Sequence, residues 1–337
     1  NNYHFVSDSY HKQYIHRVDI TGLNHDTRYF YNIDNAYSSS NFYNFKTPSE
    51  NLEDTTNLIA FGDLGYSNDI SVDALTQEIN TGMYDAILHI GDFAYNLDSE
   101  SGHNGDNFLN LIQPFAANIP YMTCPGNHES ANNFSDYIHR FNMPGNAENL
   151  WYSWNIRNVH IVSFSTEVYY YSGQEKLIEK QYKWLQQDLD NANLPENRAK
   201  RPWIITMGHR PMYCDSDDSD ECLKKNDKVR LSLEKMFYQN KVDLQLWAHE
   251  HNYQRMYPVY NLHSNRTQMP YVNPEYPIHI ITGAAGCPEH LDGFTKIENK
   301  WSYIHVSRYG YGKIKISKNT LYWEQMGAFS NGIYKDF

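Results

Sequence analysis

Gly91-Asp92-Phe93-Ala94-Tyr95 is the stretch on which the reading of this chain turns. It follows Asp85-Ala86-Ile87-Leu88-His89-Ile90, a short apolar run that reads as a buried strand. Gly91 ends the run. Asp92 then stands at the carboxyl end of the strand, where open α/β sheets place their ligands. Tyr95 lies three residues on, so a tight turn sets its phenol on the same face as Asp92. Carboxylate and phenolate oxygens are hard ligands that suit a highly charged cation. Alone, the stretch is better read as a strand and turn with one exposed acid and one packed ring.

Four further stretches repeat the pattern. Gly62-Asp63-Leu64-Gly65 follows Leu58-Ile59-Ala60-Phe61. Gly126-Asn127-His128-Glu129 follows Ile119-Pro120-Tyr121-Met122. Gly208-His209-Arg210-Pro211 follows Trp203-Ile204-Ile205-Thr206-Met207. Ala248-His249-Glu250-His251 follows Leu244-Gln245-Leu246-Trp247. Five strand ends thus release Asp63, Asp92, Tyr95, Asn127, His209, His249 and His251 into loops that a parallel sheet gathers along one edge. Those side chains exceed what one metal takes and match two metals that share a bridging carboxylate.

In this order the motifs GDxG, GDxxY, GNHE, GHxP and HxHxYxR resemble those of the purple acid phosphatases, within the calcineurin-like metallophosphoesterases. The likeness runs over roughly residues 10–337 and is closest to the larger animal and plant-type members. One motif alone is weak; five in order are specific. The resemblance implies an αββα four-layer sandwich of the α/β class. It implies that Asp63, Asp92, Tyr95 and His251 hold Fe(III), with Asp92 bridging, and that Asn127, His209 and His249 complete a site for one divalent metal (Zn, Fe or Mn). Tyr95 separates this branch from its calcineurin-like relatives, because phenolate-to-Fe(III) charge transfer gives the colour. The implied reaction is hydrolysis of phosphate monoesters by a metal-bound hydroxide, with small phosphorylated substrates. Fe(III) should lower the pKa of bound water further than Zn does, which suits work in acid. His128 is expected to contact phosphate and protonate the leaving oxygen; the competing reading is a structural histidine paired with Glu129. Tyr253 and Arg255 are expected to support the two histidines of the last motif.

The chain departs from the family in three places. Ala248 stands where the family has Gly, and Gln254 where plant members have Glu. The loop Cys214–Cys222 has no histidine, whereas plant members carry a histidine pair there that includes an acid catalyst. Asp215 or Asp217 would serve as acid only with a raised pKa, and the solvated-loop reading is favoured for both.

Composition narrows the class. At 337 residues the chain buries a substantial core. Its formal charge of −12 gives no basic face for nucleic acid. With 16 His, acid conditions bring that charge toward zero. No apolar run is long enough to span a membrane. No leader-like segment opens the chain at Asn1, so an upstream segment is expected to have been removed or left out. Cys214 and Cys222 flank a short acidic loop without zinc spacing and are expected to pair. Cys124 and Cys287 are open between a second disulfide and two buried thiols. Asn133 and Asn265 begin glycosylation sequons. Cysteines and sequons together point to a secreted or lysosomal/endomembrane compartment. Oligomeric state is not legible.

Residues 1–50 alternate and fit three or four strands, including one over His16–Ile20. They resemble part of the fibronectin-like β-sandwich of larger purple acid phosphatases, either truncated or docked on the catalytic domain. Thr47-Pro48-Ser49-Glu50-Asn51 is the expected linker, and residues 55–337 the catalytic domain. Helices are expected over Ile70–Asn80, around Phe108–Phe115, over Gln174–Leu189 and over Val229–Tyr238, and loops over residues 98–106 and 256–277. Two other functions use the same features: a phosphodiesterase or pyrophosphatase with this site, and a binding protein that keeps the fold without turnover. The second is disfavoured because all seven ligands are present. A mononuclear zinc hydrolase is disfavoured by Tyr95 and the surplus of ligands.

Overall fold

The computed structural model describes residues 2–7, 12–35, 37–145, 147–218, 221–224, 227–296 and 299–329. Two β-sheets make the frame. One has five strands in the order β18 (Leu321–Gly327), β17 (Gly310–Ile316), β5 (Thr56–Phe61), β6 (Ala86–Ile90) and β7 (Tyr121–Cys124). The other has seven, in the order β16 (Ser302–Val306), β12 (Tyr253–Met256), β15 (Ile278–Thr282), β11 (Leu244–Trp247), β10 (Trp203–Met207), β9 (Val159–Ser163) and β8 (Tyr152–Ile156). Strands β5, β6 and β7 run parallel, as do β9, β10, β11 and β15. Their carboxyl ends are the ones that carry the motifs.

Side chains alternate along these strands and so sort into two cores. Leu58, Ala60, Leu88 and Ile90 of the smaller sheet meet Ile161, Ile205, Met207, Leu244 and Leu246 of the larger one. Their neighbours Ile59, Phe61, Ile87, Val162, Ile204 and Trp247 face outward under helices. Helices α1 (Val72–Ile79) and α2 (His103–Ala116) bring Leu75, Ile79, Phe108 and Phe115 to that outer core. Helices α4 (Glu175–Ala192) and α6 (Lys228–Gln239) bring Leu185, Leu189, Leu233 and Phe237. The expected four-layer α/β arrangement holds.

One local expectation needs correction, and two helices add to the reading. Residues 98–106 are not a loop: a single turn over Ser99–Gly102 leads into α2 at His103. Arg140 fixes that corner, donating to Gly102 O at 2.8 Å and to the Asp106 carboxylate at 2.6 Å. A helix α3 (Ala131–Arg140) follows the GNHE stretch, and a short α5 (Pro195–Lys200) precedes β10; neither was expected. The long excursion after β12 is mostly loop, broken only by β13 (Val259–Tyr260) and β14 (His263–Ser264).

The N-terminal strands form two hairpins, β1 (Asn2–Ser7) with β2 (Lys12–Arg17) and β3 (Arg28–Tyr31) with β4 (Tyr43–Lys46). The strand expected over His16–Ile20 lies earlier, over Lys12–Arg17, and Arg17 at its end reaches across to α3. Its Nη2 donates to the carbonyls of Ile138, His139 and Phe141, at 2.8–3.1 Å, and so covers the open end of α3. Tyr31 likewise donates to Ala117 O at 2.7 Å. These hairpins dock on the α/β body.

Candidate metal centre

Four of the seven candidate ligands leave their strands through a left-handed turn of the backbone. Asp63, Asp92, Tyr95 and His249 have φ values of 55°, 53°, 55° and 70°, in the left-handed region that L side chains avoid. Such residues cost about 1–3 kcal/mol each and cluster at functional sites. The turns are packed against one another. Gly91 has φ 82°, and a Cβ there would lie 2.5 Å from His209 Nδ1. Only glycine lets the Asp92 turn sit so close to that ring. Ala248, the departure from the family pattern, is accommodated at Gly62: a Cβ on Gly62 would fall 2.4 Å from the Ala248 methyl. Between the two sheets, Gly62 N–H donates to Thr282 O at 2.9 Å, and within the larger sheet Ala248 N–H donates to His209 O at 2.9 Å.

All seven candidate ligands meet on this edge, in two adjoining groups. In the first, Tyr95 Oη lies 2.9 Å from His251 Nε2 and 3.4 Å from Asp63 Oδ1. His251 Nε2 is 3.4 Å from the same Asp63 oxygen. In the second, His209 Nε2 lies 3.1 Å from Asp92 Oδ2 and 3.0 Å from Asn127 Oδ1. Ligand atoms of Asp92, His209 and His249 fall within 4.8 Å of one another. Asp63 joins the groups, since its Oδ2 accepts the backbone N–H of His249 at 3.0 Å. Asp63, Asp92 and His209 are almost wholly buried.

The donors fit a pair of metal ions. His209 Nδ1 meets Ile90 O at 2.8 Å and His251 Nδ1 meets His290 O at 3.0 Å. Each carbonyl takes the Nδ1 proton and leaves the Nε2 lone pair aimed into the site, the usual device for orienting a ligating imidazole. Without a metal, protons supply the positive charge. Burial alone would lower His209, yet the Asp92 carboxylate beside it pushes its pKa up to about 10. Asp92 in turn would be raised by burial but is held far below the usual carboxylate range by His209. His251, despite burial, is pushed up to about 12 by the Asp63 and Cys287 side chains. Cations binding here would replace those protons.

Glu129 binds two of the loops together. Its carboxylate accepts the backbone N–H groups of Asp92, Phe93 and Gly126 at 2.8–3.0 Å. His128 therefore does not pair with it. The His128 ring faces the cleft, with Nδ1 3.0 Å from Asn96 Oδ1 and Nε2 3.6 Å from Glu289. No motif marked Asn96 or Glu289; both reach the cleft from loops without a regular pattern.

Other expected residues lie elsewhere. Tyr253 packs in the inter-sheet core, its ring stacked with Trp323. The Arg255 guanidinium sits between the Tyr271 and Tyr303 rings, 4.6 and 4.7 Å from their centroids. Asp215 is not solvated: it is buried and accepts from Asn299 N at 3.1 Å, while its own N–H donates to Gln254. Asp217 is exposed. Cys214 and Cys222 form a disulfide with Cα atoms 5.4 Å apart. Cys124 and Cys287 do not pair. Cys124 lies within the inter-sheet core, whereas the Cys287 thiol donates to His290 O at 3.1 Å, and both are buried thiols. Asn133 is exposed on α3 and Asn265 is half-buried. Among the described residues no helix is long and apolar enough to cross a membrane.

Comparison with known proteins gives a consistent picture. Residues 56–253 match the calcineurin-like phosphoesterase family, and residues 276–336 match the iron/zinc purple acid phosphatase-like protein C family. Acid phosphatase type 7 of Danio rerio is 49% identical over 94% of this chain and 75% of its own length. The Homo sapiens protein of that name is 48% identical over 92% of this chain and 72% of its own length. The Fe(3+)-Zn(2+) purple acid phosphatase 12 of Arabidopsis thaliana is 27% identical over 95% of this chain and 69% of its own length. A solved purple acid phosphatase from yellow lupin seeds (Lupinus luteus) superposes with a TM-score of 0.73 at 23% identity. That match covers 88% of this chain and 56% of the lupin chain, so this chain spans just over half of it.

Proposed function

The chain belongs to the calcineurin-like phosphoesterases, in their purple acid phosphatase branch, and we propose that this metal-dependent phosphatase hydrolyses phosphate monoesters in acid at the edge described above. Asp63, Tyr95 and His251 would hold Fe(III), Asn127, His209 and His249 would hold a divalent ion (Zn, Fe or Mn), and Asp92 would be shared between them. The observation that carries this is the Tyr95 phenol 2.9 Å from His251 Nε2 and 3.4 Å from Asp63, two hard oxygens beside one imidazole, which suits a trivalent ion. When bound, the two metals supply Lewis acidity, a water made acidic enough to attack, and charge to hold the phosphate.

The chain does the rest. Glu129 fixes the backbone of the Asp92 and Asn127 loops, and carbonyls fix the His209 and His251 rings. His128, oriented by Asn96, faces the cleft where a leaving oxygen takes up its proton. Asp215 is buried with only its Oδ1 held by Asn299, and Asp217 is exposed, which supports His128 over the Cys214–Cys222 loop as the proton donor.

Residues 1–50 are read as a partial fibronectin-like segment and 55–337 as the catalytic domain. The exposure of Phe30 on β3 and of Phe42 just before β4, at 68% and 75%, supports a sheet face that packs on a further layer. The Cys214–Cys222 disulfide and the exposed Asn133 support a secreted or lysosomal setting with N-linked sugar.

The test is phosphate release from an aryl phosphate monoester and the matching diester across the acid and neutral range. Faster monoester turnover with an acid optimum is expected. Faster diester turnover, or an optimum above neutrality, would overturn the reading.

A further inference from the structure

Arg210, the third residue of the Gly208-His209-Arg210-Pro211 stretch, lies against the second group of candidate ligands. Its Nε donates to Glu167 at 3.0 Å and its Nη1 to Glu221 at 3.0 Å. The Tyr170 ring lies 4.8 Å from the guanidinium carbon. Glu167 is wholly buried, and Arg210 N–H is anchored to Thr166 Oγ1 at 3.0 Å. The same Nη1 lies 2.9 Å from His249 Nε2.

A guanidinium only donates, and an imidazole nitrogen has one lone pair. Nε2 of His249 is therefore the acceptor, and Arg210 occupies it. We propose that Arg210 and the second metal ion compete for His249, so that Arg210 sets how loosely that ion is held. The inference rests on the reading of His249 as a ligand.

Both modes of ligation lead to the same conflict. A metal on Nε2 takes the position the guanidinium now holds. A metal on Nδ1 requires the ring proton to sit on Nε2, where it would point at a donor N–H of Arg210. Either way the 2.9 Å contact breaks. The guanidinium has somewhere to go, because Glu221 already shares Nη1 and Glu167 keeps Nε. Metal binding thus costs one charge-assisted hydrogen bond and a local shift, with the carboxylate pairs intact. The full charge of Arg210 beside a ligand nitrogen also opposes a second cation at short range.

The sign of the effect separates this from a supporting role. Removing a side chain that merely braces a metal site loosens the metal. Removing a competitor tightens it.

The experiment is calorimetric titration of the metal-free protein with zinc chloride, comparing wild type, Arg210→Gln and His249→Asn. Wild type should bind two ions. Arg210→Gln should still bind two, one of them about tenfold tighter, the worth of one charged hydrogen bond. His249→Asn should lose or weaken the same site. If Arg210→Gln binds with equal or lower affinity while His249→Asn loses the site, the competition is overturned and the ligand reading stands. If His249→Asn binds both ions as wild type does, the ligand reading fails and the competition with it. Should Arg210→Gln leave Glu167 unpaired and fail to fold, Arg210→Lys replaces it. Lysine keeps a charge against Glu167 and lacks the fork that reaches His249, so it too should tighten the site.

Discussion

The Tyr95 phenol and His251 Nε2 lie 2.9 Å apart although 156 residues separate them in the chain. Tyr95 leaves the end of β6 in the smaller sheet, and His251 leaves the end of β11 in the larger one. Their contact crosses the seam between the sheets. The site is therefore a product of sheet packing as much as of any loop, and changes at the seam should reach the metals.

Glu129 is the first such place. Three backbone N–H groups end on its carboxylate, from Asp92, Phe93 and Gly126. Glu129→Gln replaces one acceptor oxygen by a donor and leaves a buried N–H facing it. The expected loss is about 2–3 kcal/mol of unfolding free energy, together with weaker metal retention, since Asp92 and Asn127 both hang on this carboxylate. Urea denaturation and metal analysis on the same preparation check both. An unchanged midpoint with full metal content would show that the carboxylate is not the clamp.

The Cys214–Cys222 disulfide closes a loop with a sequence separation of 8. Loop-closure entropy for so short a ring amounts to about 2–3 kcal/mol. Replacing both cysteines by serine should lower the thermal midpoint accordingly. Both cysteines lie outside the proposed ligand set, so metal stoichiometry should stay at the wild-type value. A double variant that melts with the wild type would contradict the stability claim.

His279 sets a limit on acid stability. It is wholly buried, its Nδ1 accepts from Trp247 Nε1 at 3.1 Å, and burial pulls its pKa down from 6.5 to about 3. Below pH 6.5 the unfolded chain takes up a proton that the folded chain refuses until about pH 3. Stability attributable to this group therefore falls as pH drops through that window and is unaffected above it. At roughly 1.5 pH units below the unfolded pKa the loss is about 2 kcal/mol. His279→Gln keeps an acceptor for Trp247 and removes the titration. Denaturation midpoints across this range should decline less steeply in the variant. Parallel slopes for the two proteins would refute it.

The parts of the site that the sequence disclosed are those where an apolar strand stops abruptly at a Gly or Ala followed by a ligand type. That signal is local, and it located five strand ends that the sheets gather. Residues defined by distant partners were not legible. Asp215 looks like a solvated loop acid until Gln254 and Asn299 arrive from 39 and 84 residues away. Helix α3 was hidden because its first turn, Asn132 to Phe134, is left-handed and breaks the helical period. Arg255 sits where its motif suggests support for the histidines, yet Tyr271 and Tyr303, from outside that motif, take its guanidinium. Arg210 fills a motif position to which the sequence alone assigns no role, and its contact with His249 depends on two separate strand ends meeting.

The most direct measurement is a visible absorption spectrum, with metal analysis on the same sample, of wild type and Tyr95→Phe. The account predicts a broad visible band and about one iron plus one other metal per chain in the wild type. It predicts loss of that band in Tyr95→Phe, which retains the ring that packs beside His128, 4.5 Å between centroids for Tyr95. A colourless wild type holding two metals would contradict the assignment of Tyr95 as an Fe(III) ligand. A wild type that holds no metal even after reconstitution would contradict the binuclear site itself.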